Sequence, residues 1–146
     1  MTMLGHILAA RAAGEPDRLL AAIPYAQFLG LSASLDSGEL LTTMRYAPHL
    51  VGNPALPALH GGTLGALLES AAVFSLLWAA ETAVLPKTIT ITVDYLRSAG
   101  PKDTHARGLV TRLGRRVAAV RVDAWQDDRT QLCATATAHF LIKREG

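Results

Sequence analysis

One stretch constrains the fold of this chain more than any other. Thr63 to Ala80 reads TLGALLESAAVFSLLWAA and carries a single ionisable group, Glu69. As a helix it would be ~27 Å long, close to a membrane span. Glu69, the glycines Gly62 and Gly65, and the strand-rich remainder argue instead for a buried core helix. A helix apolar nearly all round must be covered on every side. A carboxylate inside such a run is costly unless it is paired or used.

The rest of the sequence supplies the cover. Met1 to Gly30 reads as helix in pieces, broken at Gly14-Glu15-Pro16 and Ile23-Pro24. Leu31–Leu35 and Leu40–Tyr46 flank Asp36-Ser37-Gly38-Glu39, a hairpin turn. Ala47 to Leu59 is a proline-rich loop, and the long helix ends before Pro86. Thr88 to Leu96 alternates, with Ile89, Ile91, Val93 and Tyr95 on one face and Thr88, Thr90, Thr92 and Asp94 on the other. His105–Arg112 and Arg116–Trp125 bracket a short turn at Leu113-Gly114-Arg115. Gln126–Thr130 turns again, and Gln131–Lys143 alternates. Hairpin-length links imply an antiparallel sheet. The chain therefore reads as α+β, with a curved sheet of five to six strands around one long helix.

At 146 residues, half of them hydrophobic and 18% charged, the chain suits one domain, 1–146, whose first thirty residues form a helical segment. A formal net charge of +2 is too small to argue for nucleic acid. Cys133 is the only cysteine, so no intrachain disulfide forms. The N-terminus lacks a basic segment ahead of an apolar core, which points to the cytoplasm rather than secretion. No His, Cys or carboxylate spacing suggests a metal site, and Cys133 reads as a packed residue rather than a nucleophile.

The chemistry gathers around His60-Gly61-Gly62, which opens the long helix nine positions before Glu69. Paired glycines let a backbone approach a ligand closely. The first N–H groups of a helix suit an oxygen that gains negative charge. His60 and Glu69 lie ~10 Å apart along one helix axis. If both serve one substrate, they come from two subunits. The stripe around Glu69 (Gly65, Ala66, Ala72, Val73) is small, while Leu67, Leu68, Ala71, Phe74 and Trp78 read as core.

These residues, with Thr88–Ser98 and Gly114–Trp125, resemble the hot-dog-fold thioesterases of the phenylacetic-acid-degradation (PaaI-like) type. The resemblance runs from about Ile23 to Lys143. It implies a hot-dog fold and hydrolysis of an acyl-CoA, with no metal or redox cofactor. It also implies active sites at a homodimer interface, with pairing of dimers left open. The Gly62 N–H would polarise the thioester carbonyl, and Glu69 of the partner subunit would act as general base or nucleophile. Gly61 would let the substrate approach, and Thr88 stands where the family places a helper hydroxyl. Asn53 would place water or carbonyl, although it lies seven residues before His60 where the family commonly has six. Either the loop bulges by one residue or Asn53 has no such role. His60 suits loop ordering or carbonyl contact better than general-base work. Arg97, Ser98, Arg115 and Arg116 are candidates for the phosphates of coenzyme A. Two rivals remain: a hot-dog acyl-thioester hydratase or dehydratase, and a non-catalytic acyl-CoA-binding protein.

Overall fold

The computed structural model describes residues 2–79 and 85–142. The expected end of the long helix at Ala80 and of the last strand at Lys143 lie outside these. Among the described residues three α-helices precede or cross the sheet: α1 (Met3–Ala13), α2 (Pro24–Leu29) and α3 (Gly61–Ala79). The strands are β1 (Leu31–Asp36), β2 (Glu39–Met44), β3 (Val51–Asn53), β4 (Ala58–Leu59), β5 (Lys87–Tyr95), β6 (Thr104–Leu113), β7 (Val117–Trp125) and β8 (Leu132–Leu141). Six of them form one antiparallel sheet in the order β1-β2-β6-β7-β8-β5. The proline-rich loop expected to lack regular structure instead holds a small ribbon of β3 and β4.

Local sequence explains the breaks. Gly14 ends α1 in the left-handed region, where a side chain would be strained, and Pro24 opens α2 at a position that needs no N–H. Ser37 and Gly38 both adopt positive φ, as a two-residue turn needs to match the twist of β1 and β2.

The sheet wraps α3 because the two surfaces fit. Leu64, Leu67, Leu68, Phe74, Leu76 and Leu77 of α3 are buried. Facing them, the sheet presents small side chains: Ala106, Ala118, Ala124, Ala134, Ala136 and Ala138 are all buried. Alanines let the helix sit close, and the leucines fill the space. Gly108 marks the closest approach: a Cβ there would lie 2.7 Å from Ser75 Oγ and 3.2 Å from the Ala71 carbonyl oxygen.

One strand departs from simple alternation. In β5, Thr88 faces Phe140 but Thr90 faces His139, so Ile89 is an extra residue in the ladder. Residues directly opposite share a face. Thr88 therefore turns inward with Ile91 and Val93, and not outward with Thr90 and Thr92 as alternation predicts. Ile89 is left 53% exposed.

Candidate functional site

Helix α3 has two unlike long faces. Leu67, Leu68, Ala71 and Phe74 are buried, as expected. Trp78, expected in the core, is half-buried. On the other side Gly65, Ala66, Glu69 and Val73 are half-buried and Gly62 is exposed, while Ala72 belongs to the core. Glu69 has no hydrogen-bond or ion-pair partner among the described residues. It lines a cavity of about 240 Å³ with Ile23, Tyr25, Ala26, Val73 and Thr88. The extra residue in β5 is what brings Thr88 to this cavity. Residues 23–26 come from the start of α2, a segment that the helical reading of the N-terminus did not connect to the site.

At the start of α3 the backbone is arranged around His60. The Gly62 N–H donates to His60 Nδ1 at 2.8 Å. With Nδ1 accepting, Nε2 is the ring nitrogen left to donate. The His60 carbonyl accepts from Thr63 Oγ1 at 2.6 Å, and the His60 N–H donates to the Leu50 carbonyl at 2.8 Å. The ring is seated between two glycines. A Cβ on Gly62 would meet Nδ1 at 2.9 Å, and one on Gly52 would meet His60 Cβ at 2.9 Å. His60 thus orders the loop and presents one N–H outward.

This bears on two further candidates. The Gly62 N–H is occupied by His60 and not open to a ligand. Asn53 follows a bulge: Val51 faces Leu59 and Asn53 faces Ala58, leaving Gly52 as the extra residue. The loop therefore does bulge by one residue ahead of His60. The Asn53 Oδ1 accepts from the Ala55 N–H at 3.1 Å, shaping its own turn.

Tyr95, which alternation places only on the face of Ile89, Ile91 and Val93, joins the helix start. Its hydroxyl donates to the Gly61 carbonyl at 2.8 Å, and its ring lies where a Cβ on Gly61 would be 3.4 Å away. Arg97 and Ser98 follow directly and line a cleft beside Gly61 and Leu64. Arg97 Nη1 donates to Gln131 Oε1 at 2.6 Å. A second cleft joins Arg97 and Ser98 to Lys102.

The four residues proposed for phosphate contact are not brought together in one protomer. Arg115 and Arg116 sit at the β6–β7 turn, beside Val117, Leu141 and Lys87. Arg97 and Ser98 lie past the other end of β5, near Ala134. The two groups are ~30 Å apart along the strands. Glu69 and the helix start are likewise separated: Glu69 shares a cavity with Thr88 near the beginning of β5, whereas Gly61 touches Tyr95 at its end.

Comparison with known proteins supplies a family. The model of the thioesterase superfamily matches residues 56–133. The medium/long-chain acyl-CoA thioesterase YigI of Salmonella typhimurium is 33% identical over 108 residues, 65% of this chain and 69% of that protein. A crystal structure of a Chromobacterium violaceum protein superposes with a TM-score of 0.78 at 35% identity, covering 97% of this chain and 99% of that one. The structure of a phenylacetic acid degradation-related protein from Ralstonia eutropha JMP134 gives 0.75 at 26% identity, covering 94% and 99%.

Proposed function

The chain belongs to the thioesterase superfamily and has its hot-dog fold, and from that premise we propose that it is an acyl-CoA thioesterase acting as a homodimer. It would hydrolyse a medium- or long-chain acyl-CoA to the free acid and coenzyme A, the substrate class named for its Salmonella relative.

The observation that carries this reading is the division of the site along β5. This is an edge strand with Ile89, Tyr95 and the following Leu96 each more than half exposed. Such an edge favours pairing. A two-fold axis makes the two edges run antiparallel. The Tyr95 end of one protomer then meets the Thr88 end of the other, so a helix start faces Glu69 of the partner subunit. The same operation brings Arg97 and Ser98 of one chain to the end that carries Arg115 and Arg116 of the other. Basic groups for the phosphates of coenzyme A would thus be gathered only in the dimer.

In the mechanism we infer, the thioester carbonyl rests at the start of α3. The His60 Nε2–H and the positive end of the helix stabilise its developing negative charge. The Gly62 N–H joins only if the carbonyl displaces His60 Nδ1. Glu69 takes a proton from water, whose oxygen adds to the carbonyl carbon, or attacks that carbon itself. The tetrahedral intermediate collapses and expels the coenzyme A thiolate; on the base route the thiolate takes the proton held by Glu69, and on the direct route it leaves an acyl–Glu69 anhydride that water hydrolyses to the free acid, restoring the carboxylate. Thr88 shares the Glu69 cavity and suits the placement of water. Asn53 retains only its amide nitrogen for the site. The acyl group takes the largely apolar cavity of Val73, Ile23 and Ala26. The chemistry calls for no metal or redox cofactor. A reducing cytoplasm suits the single buried cysteine.

The test is release of coenzyme A from acyl-CoAs of increasing length, read with a thiol-reactive dye. Glu69→Ala and Gly62→Val proteins are then mixed after unfolding and refolding together. A shared site predicts that each variant is inactive alone and that the mixture regains about a quarter of wild-type activity, through hybrid dimers with one intact site. No regain would place each site within one chain. No release from a folded protein that binds acyl-CoA would overturn hydrolysis and favour a binding protein. Conversion of a hydroxyacyl thioester to its enoyl form would favour a hydratase.

A further inference from the structure

The large sheet is open at one place. Strands β2 and β6 pair only at Thr42, Thr43 and Met44, opposite Ala106, His105 and Thr104. Beyond Thr42 the two strands part, and Glu39–Leu41 no longer ladders with Arg107–Val110. A cavity of about 320 Å³ lies in the gap. Leu40, Leu109 and Val110 line it along the strands, and Trp78 and Ser75 of α3 line it from beneath. It is remote from the Glu69 cavity: two strands, β7 and β8, separate β6 from β5, and Trp78 lies on the opposite side of α3 from Glu69.

Three observations describe what such a slot would take. Its lining is mainly apolar, and its volume falls at the lower end of ~300–1,000 Å³ for small-molecule sites. It suits an aliphatic chain and is too small for a nucleotide-bearing ligand. Ser75 is only 6% exposed, and its hydroxyl has no partner among the described residues. A buried hydroxyl without a partner is uncommon and costly. The outer mouth carries charge. Glu39 accepts from Arg107 at 2.6 Å and from Arg129 at 3.0 Å, two cations on one carboxylate. Asp123, opposite Arg107 on β7, is already matched by Arg121 at 3.7 Å. Glu39 is thus shared between two cations, and Asp36, opposite Glu39 on β1, borders the cluster.

We propose that the gap between β2 and β6 is a second ligand site, for an aliphatic carboxylate whose chain enters the slot and whose head is held by Arg107. The ligand carboxylate would replace Glu39 on Arg107, while Glu39 keeps Arg129. The exchange conserves a charge-assisted pair on each guanidinium. Leu109, 53% exposed at the lip, would be covered by the first part of the chain. An acid released by thioester hydrolysis belongs to this class, but the site stands whether or not that reaction occurs.

The test is calorimetric titration of the full chain with sodium dodecanoate below its micellar range. Val73→Phe fills the Glu69 cavity, Val110→Phe fills the slot, and Arg107→Gln removes the head-group contact from the surface. The expected result is saturable binding that survives Val73→Phe and weakens at least about tenfold in Val110→Phe and in Arg107→Gln. Circular dichroism checks that each variant is folded, and if Val110→Phe is not, Arg107→Gln decides. Binding lost in Val73→Phe and unchanged in both slot variants would overturn the proposal by placing the acid in the Glu69 cavity alone. Absence of saturable binding to the unsubstituted protein would overturn it as well.

Discussion

The two faces of α3 solve different problems with the same secondary structure. On one face Leu67, Leu68, Ala71 and Phe74 are enclosed by the chain's own sheet. On the other, Gly62, Ala66, Glu69 and Val73 remain partly open, and Glu69 has no ion-pair partner among the described residues. The first face holds the fold together. The second keeps a carboxylate beside an apolar cavity, an arrangement that brings no gain to the isolated protomer. A helix apolar nearly all round thus separates stability from chemistry by direction, not by position along its length.

That contrast can be broken from either side. The largest effect is expected from Glu69→Gln, which keeps the shape and removes the carboxylate proposed as base or nucleophile. Release of coenzyme A should fall by ~10²–10⁴-fold, while the thermal midpoint stays close to that of the unsubstituted protein. A large drop in melting temperature would mean that Glu69 is a structural residue. Leu68→Ala on the closed face should do the reverse, costing ~2–5 kcal/mol of stability in chemical denaturation. Turnover of the fraction that stays folded should be nearly unchanged.

Gly62→Ala sharpens the boundary between the faces. Its Cβ would press on His60 Nδ1 at 2.9 Å, so the ring must move. Turnover should fall about tenfold or more through misplacement alone, with a small change in melting temperature. Wild-type turnover would show that the seat of His60 is irrelevant to the reaction.

The smallest effect belongs to the surface pair at the sheet opening. The hydrogen bonds of Arg107 and then Arg129 hold the Glu39 carboxyl below the usual carboxylate range. A folded-state pKa below the unfolded one adds stability above the unfolded value, and this is lost as pH falls through the folded value. Glu39→Gln should therefore melt slightly lower than wild type at neutral pH. The gap should close in acid, as a series of melting curves against pH would record. The group is exposed, so the gap at neutral pH is expected to be small.

Much of this was legible in the residues. The Ser37-Gly38 turn, the long helix and the alternating strands all follow from local periodicity and turn chemistry. So does the contrast in burial between Glu69 and Leu67–Leu68. Other features left no such trace. An inserted residue in a ladder does not disturb the composition of the strand, so the inward turn of Thr88 at Ile89 was invisible. The bulge at Gly52 appeared only as an odd spacing between Asn53 and His60. Arg97 and Arg116 looked alike as strand-end arginines. Only the order of strands in the sheet sets them at opposite ends. The His60 ring accepting from the Gly62 N–H depends on a rotamer and on two missing side chains, which no one-dimensional pattern encodes.

The short seam between β2 and β6 has a consequence for how the molecule opens. The backbone ladder from the β1–β2 hairpin to the remaining strands covers only Thr42, Thr43 and Met44, with the exposed Glu39 pairs beside it, whereas β7 and β8 ladder from Val117–Leu141 to Trp125–Leu132. Backbone amides exchange with solvent when their local unit separates from the rest. The hairpin is such a unit. In deuterated solvent its amides should exchange together and early, long before those of β7 and β8, so the protein would breathe along this seam while its central strands stay closed.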